Sequence, residues 1–214
     1  LIMTGALRKK EENLTCYIMK SLRSSDVFYD VGANYGFYSA LACQIIPASQ
    51  IHIFEPSKSI IECVRKNVPH SHINQLAVSE QTVDELLFKD NFKKGNSSTS
   101  IVANDLKGAD ETYSVRGITL DEYQESAAPP PFNNIHQEGH EMEHLQDTVN
   151  LHKEYKPIIA IEIWKGNSAQ TIRDFMRPLG YEVFAIQPNG ATEKIEWGKI
   201  EYLIAGNYEN FILA

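Results

Sequence analysis

Cysteine is scarce in this chain: Cys16, Cys43 and Cys63 are the only three among 214 residues, and no two share a CxxC spacing. So small and odd a set excludes a disulfide-framed miniprotein and reads as buried thiols in a reducing compartment. Positive charge is also short, with 20 Lys and Arg against 28 Asp and Glu, a net charge of −8. A nucleic acid backbone is therefore not the expected partner. No apolar run is long enough for a membrane. The most apolar stretch, Val31 to Ile46, is broken by Asn34, Ser39 and Gln44, whereas a spanning helix needs ~20 nearly uninterrupted apolar residues. The apolar start, Leu1 to Leu7, precedes Arg8-Lys9-Lys10, the reverse of a secretory signal. The expectation is a cytoplasmic protein with no membrane contact, although a chain that begins on Leu1 leaves room for preceding sequence.

What is present is enough for one core. Apolar residues make up 43% and charged residues 22%, which is neither disordered nor collagen-like. The length suits one domain against a prior of ~150 residues per domain. Residues 1–25 are expected to form a helical lead-in, and 26–214 the domain proper. There is no internal repeat, and the one linker-like stretch, Ala127-Ala128-Pro129-Pro130-Pro131, reads as a loop inside that domain.

Short β-rich runs alternate with helical ones. Val27-Phe28-Tyr29, Ile51-His52-Ile53-Phe54, Ile73 to Val78 and Pro157 to Ile161 are predicted strands, with Tyr181 to Ile186 and Phe211-Ile212-Leu213 closing the sheet. The run at Pro157 is continuously apolar, as in a strand covered on both faces. Phe37 to Ile46 predicts a buried helix carrying Cys43. Ser57 is a candidate N-cap for a helix with Ile60, Ile61, Cys63 and Val64. Ile172, Phe175, Met176 and Leu179 fall at i, i+3, i+4 and i+7, and Gly180 ends that helix. The pattern predicts an α/β fold: a parallel sheet with crossover helices on both faces. Glu85 to Leu120 reads instead as short strands and turns, an insertion in the sheet layer.

The most informative segment is Asp30-Val31-Gly32-Ala33-Asn34-Tyr35-Gly36, between the first strand and its helix. Glycine there lets a ligand approach the backbone, and a helix N-terminus favours negative charge. The spacing is not GxGxxG, which disfavours a nicotinamide-dependent oxidoreductase, and Asp30 would repel phosphates while attracting an ammonium group. Glu55 ends the second strand, 25 residues after Asp30, where an acid accepts hydrogen bonds from ribose hydroxyls. Together these describe a nucleoside bearing an amino acid. S-adenosylmethionine fits, with Asp30 near its amino group, helix N–H groups near its carboxylate and Glu55 on its ribose.

The run Asp30 to Ser39, then Phe54-Glu55-Pro56, Ala77-Val78-Ser79, Thr119-Leu120-Asp121, Glu138-Gly139-His140-Glu141, Pro157 to Glu162 and Gly180-Tyr181, resembles the FkbM-type methyltransferases from about Asp26 to the C-terminus. The resemblance implies a Rossmann-like methyltransferase fold, with a mostly parallel seven-stranded sheet between helices on both faces, and S-adenosylmethionine as methyl donor. It implies donor-binding positions at Asp30, Gly32, Ala33, Asn34, Tyr35, Gly36, Ser39, Glu55, Pro56 and Ala77. The implied acceptor is a hydroxyl of a sugar or related small natural product. At the fourth strand the family usually reads Lys-Ile-Asp-Val-Glu-Gly, whereas this chain has Asn134-Ile135-His136-Gln137-Glu138-Gly139. His136 thus replaces an acid near the methyl end of the donor, and Asn134 replaces a Lys. The candidate catalytic residues are His136, as base in place of that acid, with Glu138 and Glu162 orienting the acceptor. Glu162 is the single charge in an apolar strand, a costly position unless it is used, paired or exposed. A catalytically degenerate donor-binding module is the alternative that this departure keeps open.

His136, His140, His144 and His152 cluster, and His140-Glu141-Met142-Glu143-His144 spells HExxH, the helical zinc-peptidase signature. No third ligand follows at a metzincin spacing, and His140-Glu141 already belongs to the methyltransferase-like pattern. No metal is expected. A polar helix face with Met142, Leu145 and Val149 turned to the core is the preferred reading. Trp164 reads as packing with stacking on a sugar as the alternative, and Ser97, Ser98 and Thr99 as a polar turn rather than part of an acceptor cleft.

Overall fold

In the computed structural model, which describes residues 9–90, 100–101, 111–135, 141–146, 148–164, 168–204 and 208–214, the apolar runs resolve into two sheets. The larger contains β1 (Phe28–Val31), β2 (Ile51–Phe54) and β3 (His72–Asn74). The smaller contains β4 (Ala77–Val78), β5 (Val83–Asp90), β6 (Ser100–Ile101) and β7 (Glu111–Ile118). The chain then returns to the larger with β8 (Phe132–Ile135), β9 (Ile158–Trp164), β10 (Val183–Ile186), β11 (Thr192–Ile195) and β12 (Tyr208–Leu213). Strand order is β11-β10-β12-β9-β8-β1-β2-β3 in the large sheet and β4-β7-β5-β6 in the small one. The run β3, β2, β1, β8, β9 is parallel, while β12 lies antiparallel between β9 and β10. The large sheet has eight strands rather than seven. The extra one, β11, is a hairpin return on β10 whose residues Thr192, Glu193 and Lys194 are exposed, so no apolar alternation marked it.

Both faces are covered, as the continuous apolar strands required. On one face Phe28, Ile51, Ile53, Phe132, Ala160 and Ile212 pack against α1 (Lys9–Ser21), α2 (Phe37–Ala42) and α3 (Lys58–Asn67). On the other, Ile135, Ile159, Ile161, Ile163, Phe211 and Leu213 pack under α5 (Glu141–Gln146), α7 (Ser168–Met176) and α8 (Ile200–Leu203). Two short helices, α4 (Leu120–Gln124) and α6 (Val149–Glu154), complete the set. Ser57 caps α3 by accepting from the Ile60 N–H at 3.3 Å. Asp121 accepts from the Asn150 and Leu151 N–H groups of the first turn of α6.

The helical lead-in is part of this core. Leu14, Ile18 and Leu22 are buried in it. A side chain at Gly190 would bring a Cβ within 2.4 Å of the Tyr17 nitrogen, so that glycine is what lets α1 lie directly on the turn between β10 and β11. Three expectations are corrected. The predicted third strand, Ile73 to Val78, is two: β3 stays in the large sheet, and β4 pairs with β7 in the small one. Glu85 to Leu120 contributes to that separate sheet, closed by Ala77, Phe88 and Val115, rather than extending the large one. The cysteines are free and half-buried rather than buried. Regular helix stops at Ala42 and Cys43 becomes the C-cap of α2, where burial still pushes its thiol pKa up.

Two histidines are held neutral inside the fold. His52 stacks on His72 at 4.4 Å, lies 4.9 Å from the Tyr29 ring and meets the Tyr123 hydroxyl at 2.8 Å through Nδ1. Burial, with the His72 charge second, pushes its pKa down to about 4. His152, fully buried with Nε2 at 2.6 Å from the Thr148 hydroxyl, is pushed by burial down to about 3. The unfolded chain therefore binds protons below pH ~6.5 that the folded chain refuses, and stability falls as pH falls from ~6.5 towards 4. At pH 5 each histidine removes up to about 2 kcal/mol. Urea titrations between pH 7 and 5 should show this loss, and His152→Leu should flatten the acid arm. A slope unchanged in that variant would mean that other groups carry it.

Candidate functional site

At the end of β1 the chain turns through Gly32 to Gly36 into α2. Gly36 has φ +75°, and a Cβ there would press on Val68 and Val64 of the α3 region at 3.3 and 3.5 Å. Glycine thus suits the left-handed turn, and a side chain there would also crowd the two valines slightly. The turn is tied to β2: the N–H groups of Gly32 and Ala33 both donate to the Phe54 carbonyl, and Gly36 N–H donates to the Ala33 carbonyl. Asn34 N–H donates to Glu55 Oε2 at 2.8 Å, and Ser57 N–H donates to Glu55 Oε1 at 2.8 Å. Glu55, 3% exposed, therefore clamps the glycine turn to the start of α3. Pro56 beside it is buried, whereas Tyr35 is exposed at the tip of the turn.

Asp30 is more committed. It is 1% exposed and accepts from Ser39 N–H at 3.0 Å, Ser39 Oγ at 2.5 Å and Asn134 Nδ2 at 2.9 Å. Ser39 thus fastens α2 to the acid at the end of β1, and Asn134 fastens β8 to it. This role of Asn134 was not foreseen: its Cα partner in β1 is Asp30, a pairing no local pattern discloses. Ala77 stands apart from the turn, its side chain in the core of the small sheet with Phe88 and Val115.

Glu162 lies near the end of β9, 2% exposed, opposite Asn210 of β12. Cross-strand partners project from the same face. By the register Asp30, Asn134, Ala160 and Ile212 form one row, with Glu162 and Asn210 one step nearer the edge on that face. Neither amide atom of Asn210 has a hydrogen-bond partner among the described residues, nor does Oδ1 of Asn134. An unmet buried polar group costs about 1–3 kcal/mol. Two cavities lie elsewhere. One of about 530 Å³ is lined by Arg177, Lys194 and Trp197, and one of about 590 Å³ lies beside Phe37 and Val68.

His136, Glu138 and His140 lie outside the described residues, as do Ser97, Ser98, Thr99 and the side chains of His144 and Trp164. Leu145 is buried, and Met142 and Val149 are half-buried. No group of three or more His, Cys, Asp or Glu among the described residues is arranged to hold a metal, and no described helix is long and apolar enough to cross a membrane. Exhaustive dialysis against a chelator is expected to leave the melting temperature unchanged. A loss reversed specifically by zinc would establish a metal site at the histidine cluster instead.

The order β3-β2-β1-β8-β9 with a further parallel strand beyond is the doubly wound arrangement, in which ligands bind outside the carboxyl ends of the strands. The antiparallel β12, placed between β9 and β10, modifies it. No family model and no curated protein matches this sequence. Solved structures do match it in fold. The methyltransferase FkbM of Methylobacillus flagellatus KT superposes with a TM-score of 0.54 at 13% identity, over 100% of this chain and 46% of that one. This chain thus spans about half the length of that protein. An rRNA methylase from Streptococcus thermophilus gives 0.52 at 8% identity, over 98% of this chain and 97% of that one. The precorrin-6y C5,15-methyltransferase of Geobacter metallireducens GS-15 gives 0.50 at 14%, over 100% and 91%. The fold is that of the Rossmann-like methyltransferases. The glycine turn and Glu55 occupy adjoining strand ends, those of β1 and β2, at the carboxyl edge of the parallel strands.

Proposed function

We propose that this chain is an S-adenosylmethionine-dependent methyltransferase that acts on a hydroxyl oxygen of a sugar or small natural product. The observation that carries the reading is the clamp between Glu55 and the glycine turn. It holds a buried carboxylate at the end of β2 beside the glycine turn, the place where an acid takes the hydroxyls of a ribose in open α/β sheets. S-adenosylmethionine, when bound, supplies a methyl group on a sulfonium.

The remaining roles belong to the chain. Glu55 would hold the ribose, and the turn from Gly32 to Gly36 would let the donor approach the backbone. Asp30, fastened by Ser39 and Asn134, would face the donor's amino group with what acceptor capacity remains. Glu138 and Glu162 would orient the acceptor hydroxyl, and His136 would take its proton. Positioning of this kind contributes more than any single acid or base, because a displacement needs its reactants in line.

Calorimetric titration of the purified protein with S-adenosylmethionine tests the reading. Saturable, stoichiometric binding is expected, as is S-adenosylhomocysteine in the mass spectrum after incubation with an acceptor. Absence of donor binding would overturn it. Binding without any turnover would leave a donor-binding module.

A further inference from the structure

The structure contains buried carboxamides that its own stability does not call for. Both polar atoms of the Asn133 and Asn210 side chains, and Oδ1 of Asn134, lack a hydrogen-bond partner among the described residues. Burying an amide without partners is unfavourable, so folding alone gives no reason to keep one. The two wholly unsatisfied residues differ in place. Asn133 is aligned with Tyr29 and Ile159, on the face opposite Asp30 and one row back from the strand ends.

Asn210 is where a ligand would meet it. Because β12 runs antiparallel to β9, its beginning reaches the edge where the parallel strands end. There Asn210 is 2% exposed and directly opposite Glu162, on the face that carries Asp30 and Asn134. In the row behind them the residue between Asn134 and Ile212 is Ala160, a small side chain. A carboxamide offers two N–H donors and one acceptor, and the neighbouring carboxylate offers acceptors only. An anion would be repelled by Glu162, and a cation would leave the amide N–H groups unmet. A neutral hydroxyl satisfies both, accepting from the amide and donating to the carboxylate.

We propose that Asn210 is an acceptor-binding residue that donates through Nδ2 to a hydroxyl group held by Glu162, with Asn134 Oδ1 available to an adjacent hydroxyl. The assignment rests on the methyltransferase reading. Its test compares Asn210→Leu with Asn133→Leu, the same change of size and polarity on the other face. Transfer of radiolabelled methyl from S-adenosylmethionine to methyl glucoside, mannoside, galactoside and rhamnoside is measured beside donor affinity and melting temperature.

At least one glycoside should be methylated by the wild type. Asn210→Leu should reduce kcat/KM at least tenfold while donor Kd stays within twofold and the melting temperature does not fall. Asn133→Leu should leave turnover within twofold. Turnover unchanged in Asn210→Leu would overturn the assignment, as would a loss of donor affinity equal to the loss of turnover. Donor binding with no glycoside methylated by the wild type would overturn the neutral-hydroxyl reading of Asn210 and leave the donor site standing. Failure of the wild type to bind the donor would remove the methyltransferase reading itself.

Discussion

Glu55→Ala should weaken S-adenosylmethionine binding at least tenfold and at the same time lower the melting temperature by several degrees. The first effect follows from two hydrogen bonds between ribose hydroxyls and a charged acceptor, each contributing about 1.5–3 kcal/mol, where about 1.4 kcal/mol already makes a factor of ten. The second follows from the clamp. The Asn34 and Ser57 N–H groups, each 2.8 Å from a Glu55 oxygen, lose their acceptor. Each such loss costs about 1–3 kcal/mol, and a domain of this size shifts by about 2–4 °C per kcal/mol. Against a typical stability of about 5–15 kcal/mol the variant remains folded at room temperature, so calorimetry on it is meaningful. Equal donor affinity in variant and wild type would sink the ribose assignment, whatever happened to stability.

His136→Ala and Glu162→Gln should each bring methyl transfer to or below detection while donor affinity stays within a few-fold. A positioned proton acceptor contributes about 10²–10⁴ in rate, and loss of a residue that aligns the hydroxyl acts on the same barrier through geometry. Glu162→Gln is the sharper probe because it preserves size in a strand whose neighbours Ile161 and Ile163 are fully buried. The carboxylate itself is 2% exposed, and a charge so buried is kept only where it is paired or used. Initial rates with a true acceptor, alongside donor titrations, make the measurement. If both variants methylate that acceptor at the wild-type rate, the catalytic assignment is wrong although fold and donor site stand.

Several elements were legible because the signal is local. Ile51–Phe54 is a strand as expected. Ser57 does cap its helix, and Gly180 takes the left-handed conformation, φ +86°, that ends the segment after α7. These depend on periodicity, side-chain capping and glycine freedom, each decided within a few residues. Less legible were β11, with no buried alternation, and the split of the third predicted strand. There the Asn74 carbonyl accepts the Glu55 N–H while Ala77 and Val78 pair with Gly117 and Ile118, partners 40 residues away. The candidate site divides in the same manner. Gly32, Gly36 and Glu55 stood out as a motif, whereas Asn134 was noted only as a substitution and Asn210 not at all.

By itself, then, the sequence determined the alternation of strand and helix, the two-sided burial of the central strands, and an acid at the end of each of the first two. Those follow from residue chemistry read at spacings of two to four along the chain. The tertiary structure alone decided which distant side chains meet. It paired Asp30 with Asn134 across 104 positions, set Asn210 opposite Glu162 by inserting β12 antiparallel beside β9, and turned Glu55 into the clamp on the glycine turn. Register is the physical reason. A one-residue shift of β8 or β12 would move Asn134 or Asn210 to the opposite face, and that choice depends on the packing of the whole sheet rather than on any local run of residues.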